Sequence, residues 1–199
     1  MKKTRLALGL LGVLLLTLSS AQVTGAARPL SLYSYTESFE QSFGGWVPDH
    51  YLECEPGCGN LIWSITRSTD RAYQGIYSLK GYLDGTHDDG TIWVERSFNF
   101  STLPPGTRVV TLTFQFWSPV QGNINTWPVV AFLGQSNPKT EADFTIVGQS
   151  NQVAGWKQYS LSKTMFISST TSLWAAFGFG ATWETPRTHY LDYVTLTIN

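Results

Sequence analysis

Trp93 stands two residues before Glu95, and Trp117 two residues after Gln115. On a strand, residues two apart project from the same face. Tyr82 and Lys80 repeat the arrangement, and Trp174 has the parity opposite to Leu173, Ala175 and Phe177. A large ring that alternates with core residues points toward water, where packing gives it no role. A flat ring beside hydrogen-bonding side chains suits a ligand with an apolar face and a rim of hydroxyls. A pyranose is such a ligand: the ring stacks on it while amides, carboxylates or an ammonium bond its edge. The candidate binding residues are therefore Trp93, Trp117, Tyr82 and Trp174, with Gln115, Glu95 and Lys80 as their polar partners. Alternatively, these rings fill space beneath long loops, or a bulge shifts the parity. Trp127 and Trp183 fall near loops as rim candidates, whereas Trp46, Trp63 and Trp156 read as structural.

Catalytic signatures are missing. His50, His87 and His189 are scattered, and neither Gly-x-Ser-x-Gly nor His-Glu-x-x-His occurs. Glycoside hydrolysis needs only two facing carboxylates. Glu95 and Glu184 are the acids to consider, and nothing in the sequence sets them at a working separation. No catalytic residue is assigned.

Cys54 and Cys58, the two cysteines, enclose Glu-Pro-Gly. In an exported chain this reads as a disulfide closing a tight surface loop, contributing about 2 kcal/mol. The spacing is not the C-x-x-C of redox or zinc sites. Asp84-Gly85-Thr86-His87-Asp88-Asp89-Gly90 is acidic but lacks EF-hand ligand spacing, and reads as a solvated loop. Asn99-Phe100-Ser101 matches the glycosylation sequon.

The 199-residue chain opens with Lys2, Lys3 and Arg5, then the leucine-rich stretch Leu6 to Leu18 and small residues. This is the pattern of a secretion signal. Cleavage after Ala27 is preferred, with Ala21 as the alternative, leaving one domain over residues 28–199. Cleavage removes three positive charges from a chain of formal charge −1. A mildly acidic secreted domain without basic clusters is a poor nucleic-acid binder. No later stretch is apolar enough for a helical membrane span.

The elements that must carry these residues are strands. Val110, Leu112, Phe114 and Phe116 alternate with Thr111, Thr113, Gln115 and Trp117. Ile92, Val94, Phe98 and Phe100 alternate with Trp93, Glu95, Ser97 and Asn99. Period-two alternation recurs along the chain and helical periodicity does not. Further candidates are 33–40, 61–67, 78–84, 127–133, 143–147, 156–161, 173–179 and 189–198. Gly44-Gly45, Pro56-Gly57, Asp89-Gly90 and Pro104-Pro105-Gly106 mark turns between them. About ten strands at this spacing predict an all-β, antiparallel two-sheet sandwich, a jelly roll.

Five segments occur in a telling order: Ser38-Phe39-Glu40, Gly45-Trp46, 72–79 (AYQGIYSL), 155–161 (GWKQYSL) and 190–196 (YLDYVTL). Together they resemble a jelly-roll carbohydrate-binding module of the galactose-binding-like superfamily. That superfamily also holds adhesion and receptor domains. The resemblance implies a structural calcium where the first and last strands meet. Glu40 and Asp192 would supply carboxylates, and main-chain carbonyls near Ser38 and residues 75–77 would complete the shell. Asp192 sits within an apolar strand, where an unpaired carboxylate is costly. Where the family pattern has a second adjacent acid, this chain has Tyr193. Glu40 and Asp192 as ordinary surface acids is the alternative.

The expectation is a secreted, non-catalytic module that binds a polysaccharide or oligosaccharide on an aromatic-lined sheet face. Its rival is an extracellular adhesion domain with a protein partner. A small polysaccharide hydrolase or lyase is a third possibility.

Overall fold

The computed structural model describes residues 31–52, 61–85, 88–119, 122, 126–183 and 185–199. The expected leader, the Cys54–Cys58 pair, Thr86, His87 and Glu184 lie outside the described residues. The eleven strands among them are β1 (Tyr33–Glu37), β2 (Val47–Tyr51), β3 (Trp63–Ser68), β4 (Ser78–Leu83), β5 (Thr91–Asn99), β6 (Gly106–Ser118), β7 (Pro128–Gly134), β8 (Thr145–Gln149), β9 (Gly155–Ile167), β10 (Ser172–Gly180) and β11 (Arg187–Ile198). Among the described residues one 3-10 turn, Glu141–Asp143, lies in the β7–β8 connection.

Every strand pairing is antiparallel. One sheet runs β3-β4-β11-β6-β9 with β1 also on β11, and the other runs β2-β5-β10-β7-β8. The chain is an all-β sandwich of a six-stranded and a five-stranded sheet. The strand missing from the sequence expectation is β2, Val47-Pro48-Asp49-His50-Tyr51. It pairs only with β5, at the sheet edge, where a proline without N–H is tolerated.

The core follows the alternation. Leu112, Phe114 and Phe116 of β6 meet Phe177 and Phe179 of β10, with ring centroids 4.7 Å apart for Phe114–Phe177 and 5.9 Å for Phe116–Phe179. Trp46 caps one end of this layer, 4.9 Å from Phe177. Gly81 matters here because a Cβ would sit 2.7 Å from the Phe179 ring.

β11 organises the six-stranded sheet. Arg187 to Leu191 pair with β4, and Val194 to Ile198 pair with β1, so two strands share one flank of β11. On the other flank its register with β6 shifts between Asp192 and Thr195. That bulge places Tyr193 in the left-handed region, φ 44°, and restores Val194 to the core after Leu191. Asp192 lies at this joint.

Candidate functional site

The parity expected of the aromatic residues holds, but the two sheets divide them. Trp93, Glu95 and Trp174 project from the outer face of the five-stranded sheet, on β5 and β10. Trp117, Gln115, Tyr82 and Lys80 project from the outer face of the six-stranded sheet, on β6 and β4. These faces lie on opposite sides of the sandwich, so the candidates do not form one groove.

The Trp93 face is closed. The β7–β8 connection folds over it, bringing the Phe144 ring 4.8 Å from Trp93 and 6.0 Å from Phe132. Trp93 is 0% exposed and Glu95 5%. The Trp93 indole N–H donates to Glu95 Oε2 at 2.8 Å, and Asn137 Nδ2 donates to Glu95 Oε1 at 2.7 Å. Lys139 approaches Asp49 of β2 at 3.7 Å and pins the connection at its rim. These rings fill the space beneath a loop. Trp174 packs half-buried at the border of this cluster.

The opposite face is open. Tyr190 of β11 pairs with Trp117 of β6 and with Lys80 of β4. Its ring meets Trp117 edge-on, 5.4 Å between centroids. The segment before β4 lies over this corner and sets the Arg71 guanidinium 3.9 Å above the Trp117 ring. Asp70 accepts from Lys80 Nζ at 2.7 Å and from the Tyr190 hydroxyl at 3.3 Å. Those two bonds with Lys80 and Tyr190 help hold the Asp70 carboxyl below its ordinary range, the Lys80 bond contributing most. Burial pushes the Tyr190 phenol above its usual value. A cavity of about 350 Å³ opens here, lined by Arg71, Trp117, Pro119, Thr188 and Tyr190 together with residues 185–187. Tyr82 faces Thr188 across the β4–β11 pair. Gln115, one step along β6, is buried and reaches Gln158 of β9 at 3.4 Å.

The acid pair expected to hold calcium lies beside this corner. Asp192 is fully buried. Its Oδ2 accepts from the main-chain N–H of Tyr73 at 2.7 Å and Gln74 at 3.1 Å, and its Oδ1 from Tyr193 at 2.7 Å. Glu40 accepts from the N–H of Ile76 at 3.0 Å and Tyr77 at 2.9 Å. Burial raises the Asp192 pKa to about 6, against the pull of those amides, and the Glu40 charge adds to the rise. Among the described residues neither carboxylate forms an ion pair. Arg67 instead donates to the carbonyls of Phe39 and Glu40, at 2.8 and 2.7 Å. Two carboxylates at one joint, neither ion-paired among the described residues, offer the oxygen donors that a hard cation takes. Among the described residues no cluster of three or more acid, histidine or cysteine side chains forms, so main-chain oxygens, Ser38 among them, would have to complete a shell.

His189 points inward, 4.8 Å from Phe116 and 5.0 Å from Phe179 by ring centroid. Its Nδ1 donates to the Trp117 carbonyl at 3.2 Å. Complete burial lowers its pKa to about 3, so it is neutral and part of the packing. Trp127, expected at a rim, is fully buried against Phe179. Trp183 is 49% exposed. Trp156 lies opposite Trp117 on the outer face, where Tyr73 packs on it at 5.8 Å.

Arg71 and Tyr190 were absent from the sequence-derived set. Tyr190 carried a usable signal, since it has the parity opposite to Leu191 and His189 on its strand. Arg71 lies in the irregular segment before β4, where no periodicity points to a partner.

No sequence-family model matches the chain, and no curated protein matches it. Solved structures do. A CBM22 xylan-binding domain from Paenibacillus barcinonensis is 15% identical with TM-score 0.48, over 82% of this chain and 92% of that one. A family 22 carbohydrate-binding module of Clostridium thermocellum is 17% identical with TM-score 0.46, over 82% and 91%. The enzymatically active domain of tailspike protein 4 from bacteriophage CBA120 is 10% identical with TM-score 0.47, over 79% of this chain and 20% of that one. The chain is thus a structural match to CBM22 modules at low identity. Among the described residues no helix is long and apolar enough to cross a membrane.

Proposed function

We propose that this chain is a secreted, non-catalytic module that binds a glycan at the Trp117 corner of the six-stranded sheet. The observation that carries the reading is the cavity of about 350 Å³ in which Trp117 and Tyr190 meet at right angles. It has the size of a small-ligand site and combines apolar walls with a few polar groups. Pro119, Pro186 and the part of the Trp117 ring that Arg71 leaves uncovered offer surface to the CH face of a sugar, and Thr185, Thr188 and Tyr190 offer hydroxyl partners to its rim. Tyr82 and Lys80 extend the site along β4. Trp93, Glu95 and Trp174 take no part in it.

Calcium belongs to the same proposal. Glu40 and Asp192, with a main-chain oxygen near Ser38, would hold the ion. Bound there, it would neutralise two carboxylates and fix the 71–77 segment that carries Arg71 onto β11.

Affinity electrophoresis through gels containing xylan, β-glucan, mannan or galactan tests the reading. Retardation by at least one polymer, lost in Trp117→Ala and kept in Trp183→Ala, supports it. A folded protein that no polymer retards contradicts it and favours a protein partner.

A further inference from the structure

Resting on the glycan reading of the Trp117 pocket, we infer that this pocket selects an acidic sugar, with the carboxylate of a uronate residue seated on Arg71. The Arg71 guanidinium lies 3.9 Å above the Trp117 ring. A guanidinium held over a ring keeps an N–H edge available to a ligand, and Arg71 is exposed. That edge has the planar fork that pairs with a carboxylate through two parallel hydrogen bonds. Among the described residues the Arg71 side chain has neither an ion-pair nor a hydrogen-bond partner.

The surrounding charges point the same way. Arg187 also lines the cavity, where it reaches Asn151 Oδ1 at 3.4 Å and lies over the Trp127 ring at 5.5 Å. No described lining residue is an acid. The nearby carboxylate, Asp70, is engaged by Lys80 and by the Tyr190 hydroxyl. Among its described lining residues the pocket thus presents the Arg71 guanidinium and no carboxylate, in a chain whose formal charge is −1. Its preference for anions is a property of this site and not of the protein as a whole. A neutral sugar would gain the apolar contact with Trp117 and leave the guanidinium edge to water. A uronate gains the guanidinium as well as the apolar wall that Arg71 leaves uncovered, and the Trp117 ring beneath holds the guanidinium in place for it.

The test compares retardation of the whole protein by polygalacturonate, by the same polymer after carboxyl reduction, and by dextran sulfate. Retardation at least tenfold stronger for polygalacturonate than for either other polymer is expected. Arg71→Gln should abolish that difference at unchanged melting temperature, because Arg71 is exposed. Arg71→Lys, which keeps the charge but not the fork, should lose most of it. Equal retardation by the native and carboxyl-reduced polymers would overturn the inference and leave the glycan reading standing. Retardation by none of the three, nor by any neutral polymer, removes both. Equal retention on dextran sulfate, unaffected by Arg71→Gln, reduces the effect to non-specific anion binding and also overturns it.

Discussion

The indole N–H of Trp93 donates to Glu95, 2.8 Å away on the same strand and the same face. Both are buried, although both lie on the outside of their sheet. The bond satisfies a donor and an acceptor that the β7–β8 connection has removed from water. It makes Trp93 a structural residue. Trp93→Ala should therefore destabilise the fold by about 3–5 kcal/mol, as deletion of a buried large ring does. Retardation by a glycan, measured below the lowered melting temperature, should be unchanged. Chemical denaturation followed by tryptophan fluorescence measures the first effect and affinity electrophoresis the second.

Asn137 offers a sharper probe of that connection. Its amide donates to Glu95 Oε1 at 2.7 Å, and no cation shares the site among the described residues. Asn137→Asp removes the donor and sets a second carboxylate against the first. The variant should lose at least 2 kcal/mol, roughly the cost of an unsatisfied buried acceptor plus like-charge repulsion. The loss should shrink as pH falls and one of the two carboxylates takes a proton. Denaturation midpoints at pH 7 and pH 4.5 decide it, and an equal loss at both would contradict the assignment.

The strand parity was legible because a two-residue period needs only local information. Phe114, Phe116 and Phe177 could be placed in the core on that basis alone. Which sheet each strand joins is settled by long-range pairing. Trp93 and Trp117 have the same parity, yet β5 pairs with β10 and β6 with β11. Nothing local to either tryptophan carries that difference. The burial of Trp93 was hidden for a related reason. It depends on Phe144, fifty-one positions later, whose strand neighbours show no sign of crossing a sheet face. β2 was missed because Pro48, Asp49 and His50 suppress the alternation, and an edge strand tolerates all three. Asp192 was legible as a polar residue in an apolar strand, and the structure confines it to the joint between β1 and β4.

Acid stability should carry the signature of His189. Its pKa is about 3 in the fold against 6.5 for an ordinary histidine. Between those values the unfolded chain binds a proton that the folded chain does not, so this residue's contribution to stability falls as pH falls. Asp192 acts in the opposite sense. Its folded pKa of about 6 exceeds the ordinary 3.8, so the folded state holds the extra proton, and stability from this group is lost as pH rises through that window. The two slopes oppose each other between about pH 4 and 6, and the wild-type profile alone does not separate them. The difference between wild type and His189→Phe does. Phe fits the ring cluster of Phe116 and Phe179, and the stability difference should shift in its favour by about 1.4 kcal/mol per pH unit below 6.5. A pH-independent difference in urea unfolding would mean that His189 titrates normally.

The proposed calcium would act through the same joint, and its prediction follows from where the two acids sit. Glu40 follows β1, Asp192 is on β11, and the amides they accept belong to the 73–77 segment. An ion held by both would tie three parts of the chain together in the folded state only. Binding to the folded state alone stabilises by about 2.7 kcal/mol at a hundredfold excess over the dissociation constant. Melting temperature should therefore rise with added calcium and fall with a chelator, and Asp192→Asn should abolish the response. The same variant should weaken glycan retardation, because the 71–77 segment carries Arg71 over Trp117. If wild-type melting ignores both calcium and chelator, the amides and Arg67 hold the joint without metal. In that case Asp192→Asn should act on stability alone, through the acceptor it removes from Tyr73 and Gln74.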